Sequence, residues 1–186
     1  MQISFVTSNS GKFAEAEKIL KDFGVNIVHR NLRIEEIRSD SLLEVAKAAA
    51  SNAFAEIKEP LFVEDSGFFI PKLNEFPGAY SAWAFQKIGN KGILRLAAGS
   101  EAEFRACIAY ANNEGIKTFS GTVRGTISEE IRGSSGFGYD PIFIPEKTPG
   151  VRYSGEKTFA EAPEMKNALS HRLRALEKFG KYLEKR

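Results

Sequence analysis

The chain has 186 residues, a formal net charge of +2, 42% apolar and 27% charged residues, and one cysteine. That length supports one domain, or one domain in two lobes, burying about 70% of the surface of the unfolded chain without metal or disulfide staples. The composition excludes a disordered chain, the small net charge argues against a general nucleic-acid binder, and the lone Cys107 excludes an internal disulfide and fits a reducing, cytoplasmic setting.

Residues 2–7 (QISFVT) are short, β-branched and aromatic, and read as a buried strand. Their apolar run is too short for a signal-peptide core and lacks a basic flank, and no stretch approaches the ~20 apolar residues of a membrane helix. A turn at Ser8-Asn9-Ser10-Gly11 leads into a helix over 12–23, with Phe13, Ala16, Ile19, Leu20 and Phe23 at helical spacing and Gly24 behind it. Residues 25–28 form a second strand. An alanine-rich helix over 41–57 places Leu42, Val45, Ala46, Ala49 and Ala53 on one face, and Pro60 follows it. Residues 61–63 are a strand that Glu64-Asp65-Ser66-Gly67 breaks. Pro77 opens a helix at its N1 position, carrying Trp83 and Phe85, and a short helix covers 93–97. Residues 104–111 and 117–123 pair as a hairpin around Asn112-Asn113-Glu114-Gly115, which makes the sheet mixed. A strand at 141–145 lies between two prolines, 146–157 is a polar loop, and one last helix runs over 163–183. The expected fold is α/β, and no composition shift marks an independent second domain.

Four segments carry chemistry. Thr7, Ser8, Asn9, Ser10, Gly11 and Lys12 offer hydroxyls, backbone N–H groups and a lysine at a helix N-terminus, the parts of an anion site, without the spacing of a Walker A loop. Glu64 and Asp65 at a strand end suit a hard cation or a general base; strand alternation sends them to opposite faces, so one dominates, and Asp65 lies nearer the turn. In residues 134–141 (SSGFGYDP), glycines permit close backbone approach, Phe137 and Tyr139 offer rings for a base to stack on, and Asp140 offers an acceptor. In residues 166–172 (KNALSHR), Lys166, His171 and Arg172 form a basic group suited to phosphate or base. Each segment alone is also what ordinary turns and solvated helix faces contain. His29 gains no role, and the acid pair Glu35-Glu36 alone reads as surface.

Taken in order, TSNxGK, EDSG, FPGxYSA, GFGYDPIFIP, KTFAE and KNxxSHR, spread over residues 7–172, strongly resemble the inosine triphosphate pyrophosphatase family, the XTP/dITP diphosphatases. The resemblance implies a long mixed β-sheet flanked by helices, in two lobes with a cleft between them, as a single domain over 1–186. It implies a homodimer that hydrolyses ITP, dITP and XTP to the monophosphate and pyrophosphate with Mg²⁺, and needs neither nucleic acid nor membrane. Carried over by motif, Thr7 to Lys12 hold the triphosphate, Asp65 is proton acceptor and metal ligand, and Glu36 is the other metal position. Ser66 touches substrate, Phe137, Gly138, Tyr139 and Asp140 line the nucleotide site, and Lys166, His171 and Arg172 read the base and nearby phosphate. Glu35 and Glu64 are the other acids available to the metal.

Two departures stand out. Many relatives carry a lysine where Ala49 aligns here, and Lys47 lies about 200° around the helix from that position. Many also read arginine where Trp83 stands. Other readings of the same residues are a pyrophosphatase with another base preference, such as dUTP, or a nucleotide- or RNA-binding module without turnover. Acids beside phosphates serve turnover better than binding, which favours an enzyme.

Overall fold

The computed structural model describes residues 2–35 and 37–185. The chain opens with β1 (Gln2–Val6), α1 (Ser10–Lys21) and β2 (Asn26–Arg30). β1 and β2 pair in parallel from Gln2 opposite Asn26 to Val6 opposite Arg30, a geometry that needs a crossover, which α1 supplies. Asn9 caps α1 by accepting from the Lys12 N–H. α2 (Leu42–Ile57) begins behind Ser41, whose hydroxyl accepts from the Glu44 N–H, and buries Leu42, Val45, Ala46, Ala50 and Ala53. Ala49, expected on that face, is half-exposed, and Ala50 takes the buried place.

β3 (Leu61–Phe69) pairs in parallel with β1, Ser4 opposite Leu61. It corrects the expected break: the segment 64–67 lies inside the strand. β4 (Pro77–Gly78) pairs antiparallel with its far end and supplies the ladder that turn-forming residues alone did not announce. A Cβ on Gly67 would overlap the Gly78 carbonyl, which accounts for glycine at the end of EDSG. Pro77 therefore lies in a strand and does not open a helix. α3 (Ser81–Ala97) starts four residues later and absorbs the short helix expected at 93–97, with a break at Gly89.

β5 (Glu101–Asn112) and β6 (Gly115–Ile127) are sheet neighbours joined across Asn113 and Glu114, and so short a link requires them to be antiparallel. A 3₁₀ turn over Asp140–Ile142 shortens the next strand to β7 (Phe143–Pro145), antiparallel to β6. The single final helix is corrected to two, α4 (Pro163–Leu169) and α5 (His171–Leu183). Ser170 separates them in an extended conformation, φ −58° and ψ 152°. The strand order is β2-β1-β3-β5-β6-β7, with β4 beside β3.

Two compact units divide the chain. The first comprises residues 1–65, 106–121 and 172–186, the second residues 66–105 and 122–171. Each has its own core. In the first, Phe5 stacks on Phe62 at 4.3 Å between ring centroids, and Phe179 of α5 packs on Phe62 and Tyr110. In the second, Phe68, Phe104, Tyr139, Phe143 and Phe159 form an aromatic cluster over Ile93 and Met165. Burial of each such ring contributes about 1.5–3 kcal/mol. Among the described residues, no helix is long and apolar enough to cross a membrane.

Candidate functional site

The first unit gathers the turn over residues 7–12, two acids and an arginine. At the end of β1 the chain turns through Thr7 to Lys12, where the Thr7 hydroxyl accepts from the Asn9 N–H and α1 begins. Lys12 Nζ reaches Glu64 Oε2 at 2.8 Å and donates to the Glu64 carbonyl at 3.2 Å. Glu64 points inward from β3 and is 8% exposed. Its Oε1 meets Arg172 Nη2 at 3.3 Å, while Arg172 Nη1 donates to Glu15 Oε2. Burial of Arg172 acts to lower its pKa, but the flanking carboxylates of Glu64 and Glu15 outweigh it and hold the guanidinium above its ordinary value. Two cations and two carboxylates thus form one chain of charge, buried at Glu64 and Arg172 and partly exposed at Lys12 and Glu15.

Asp65, next along β3, faces the other way and is half-buried, as strand alternation requires. Buried Cys107 lies within the electrostatic reach of the same acids. Burial pushes its thiol up, opposed by a hydrogen bond with Ser120, and the charges of Asp65 and Glu64 push it up further. Glu36 lies outside the described residues. Among the described residues, no group of three or more histidine, cysteine, aspartate or glutamate side chains comes together as a metal site.

The second unit builds a tight turn from residues 136–140. Asp140, 2% exposed, accepts from the Phe137 N–H and from Lys166 Nζ, both at 2.8 Å. The expected acceptor for a base edge is therefore already engaged in holding its own loop. Gly136 has φ 78°, and a Cβ there would collide with the Asp140 carboxylate, so glycine is required on both counts. The Lys166 ammonium sits 4.2 Å from the Phe137 ring centroid, and Phe137 remains 45% exposed. Tyr139 is buried, stacks on Phe68 and donates its hydroxyl to the Ser81 carbonyl at 3.0 Å. Burial raises its phenol pKa strongly, which keeps the donor protonated. His171 is buried, with its ring stacked on Phe104 at 4.9 Å and 10°. Ser66 is half-buried on β3.

The KTFAE segment braces this turn. Arg132 Nη2 donates to the Glu156 carbonyl and pairs with Glu161 Oε2, which also accepts from the Thr158 N–H, each at 2.8 Å. The Thr158 hydroxyl donates to the Arg132 carbonyl, and the Ala160 N–H to the Asp140 carbonyl.

The first unit thus brings together Lys12, Glu64, Arg172 and Glu15, with Asp65 on the other face of β3, and the second brings together Phe137, Gly138, Tyr139, Asp140 and Lys166. Three residues make contacts that the sequence did not announce, His29 among them, which gains no role from sequence. Glu15 follows Lys12 by three positions on α1, a spacing that puts both on one face. His29 Nε2 lies 2.8 Å from the Thr7 carbonyl, so it carries the proton and donates, and its ring stacks on Phe13 at 4.6 Å. Asn90 donates to the Gly138 carbonyl at 3.1 Å across 48 positions of sequence, and no local signal announces it.

Comparison with known proteins gives one consistent result. A family model described as the Ham1 family matches residues 3–182. A dITP/XTP pyrophosphatase of Methanopyrus kandleri is 46% identical over 98% of this chain and 96% of its own length. One of Saccharolobus solfataricus is 44% identical over 99% and 94%. A solved HAM1 protein from Coxiella burnetii matches with a TM-score of 0.84 at 30% identity, covering 100% of both chains.

Proposed function

Since the chain belongs to the Ham1 family, we propose that it hydrolyses deaminated purine nucleoside triphosphates (dITP, ITP and XTP) to the monophosphate and pyrophosphate. The observation that carries this reading is the near-full-length likeness to proteins named dITP/XTP pyrophosphatases, at 46% and 44% identity. The side chains suit the roles. Lys12 and the N–H groups that open α1 take the phosphates, where a helix N-terminus favours negative charge. Asp65, half-buried and turned away from the Glu64 ion pairs, takes the proton of the attacking water. Phe137 stacks on the base, while Ser66 and Tyr139 complete its surroundings. His171 and Arg172 supply donors that a 6-oxygen accepts. The 6-amino group of adenine would set donor against donor and lose about 1–3 kcal/mol per unmade bond.

The donor set fits Mg²⁺, which takes one or two carboxylates, keeps several waters and completes its shell with phosphate oxygens. Asp65 and Glu36 would hold it, and it would neutralise phosphate charge as pyrophosphate leaves. The active form is a homodimer in the cytoplasm.

A panel measuring pyrophosphate release from dITP, ITP, XTP, dUTP, ATP and GTP tests the reading. The deaminated purines should exceed ATP in kcat/KM by at least tenfold, the value of one buried hydrogen bond. Equal rates on ATP, or preference for dUTP, would reject it.

A further inference from the structure

The turn proposed to hold the purine is fastened to α3 at two places. Near its start, the Ser81 carbonyl accepts from Tyr139 and the ring of Phe85 meets Tyr139 edge-on at 5.3 Å. Further along, Asn90 Nδ2 donates to the Gly138 carbonyl at 3.1 Å. In an unbroken helix Phe85 and Asn90 would project about 140° apart around the axis. Gly89 removes that conflict. Its φ of 57° and ψ of −168° lie in a region open essentially to glycine alone, and helix resumes on its far side. No atom lies within 4 Å of the place a Cβ would occupy, so glycine is needed there for conformation and not for space.

Asn90 is also an uneconomical choice for packing. Its Oδ1 is buried without a hydrogen-bond partner among the described residues. An unpaired buried amide oxygen opposes folding, so an apolar side chain would serve stability better. What the amide does provide is one fixed donor to the peptide that follows Gly138. We propose that Asn90 is a positioning residue for base recognition, holding the Gly138 carbonyl so that the turn over 136–140 presents Phe137 in the orientation that separates 6-oxo from 6-amino purines. This rests on the function proposed above and deepens it.

The test compares wild type with Asn90→Asp, which keeps the side chain's size but sets an acceptor against the carbonyl, and with Asn90→Ala, which removes the amide. Pyrophosphate release is measured on dITP and dATP, with the thermal midpoint followed in parallel. Both variants should raise the KM for dITP about tenfold, with kcat changed less than about threefold, and lower the dITP-over-dATP ratio of kcat/KM about tenfold, as loss of one positioning bond implies. A folded variant that keeps wild-type discrimination, or failure of both variants to fold, makes Asn90 structural and overturns the proposal. A wild type without preference for dITP rejects the functional reading itself and this inference with it. A wild type that prefers dITP, matched by its variants, rejects the inference alone.

Discussion

Adjacent carboxylates on a strand face opposite ways, and the function proposed above gives Glu64 and Asp65 different tasks accordingly. Glu64 is buried against Lys12 and Arg172, where a carboxylate secures two cations. Removing one partner from such a cluster leaves buried charge uncompensated, at a cost of about 3–5 kcal/mol. Glu64→Gln should therefore lower unfolding free energy by an amount near that range, read from urea denaturation. Asp65→Asn should leave the urea midpoint nearly unchanged and reduce kcat about 10²- to 10⁴-fold, the usual contribution of a general base. The opposite pattern, with activity lost in the Glu64 variant and stability in the Asp65 variant, would exchange their roles. Lys12 was legible as the end of a hydroxyl-bearing turn that opens a helix, and Glu64-Asp65 as adjacent acids, although the turn expected there lies inside β3. Glu15 and Asn90 were not, since their partners lie 157 and 48 positions away and only the fold supplies them.

At the scale of elements, local periodicity carried β1, α1, β2 and α2, where propensity, caps and tertiary pairing agree. It failed where tertiary hydrogen bonds overrode local preference. β3 continues through turn-forming residues because β4 supplies a ladder, and α4 ends at Ser170 although no glycine or proline marks a stop. The segment 157–161 is another such case: its role comes from contacts with Arg132 and the loop around it. Glu161 is the titratable link. Desolvation, the largest single influence, acts to raise its pKa, but the Thr158 N–H and Arg132 together outweigh it and hold the carboxyl below its ordinary value. A depressed folded pKa means the contribution is complete above the unfolded carboxylate pKa and fades as pH falls through the folded one. Stability should thus decline on the acid side, and Glu161→Gln should flatten that decline when thermal midpoints are compared across the acidic range. An unchanged acid slope would remove Glu161 from the brace.

For the molecule as a whole, the two cores account for folding, whereas the proposed catalysis depends on metal and substrate arriving together. Mg²⁺ dehydrates reluctantly and is usually bound through one or two carboxylates together with substrate phosphates. On the function proposed above, the triphosphate would complete the coordination, which would couple metal binding to substrate binding. Chelation should abolish pyrophosphate release yet leave the thermal midpoint of the free chain where it was. Adding Mg²⁺ with a non-hydrolysable dITP analogue should raise that midpoint, with about 2.7 kcal/mol of stabilisation at a hundredfold excess over Kd, while either component alone gives much less. Because coupling free energy is reciprocal, the analogue's affinity should rise with Mg²⁺ by the same factor as the metal's affinity rises with the analogue. A chelator that lowers the midpoint of the free chain would instead mean a metal held by the protein alone.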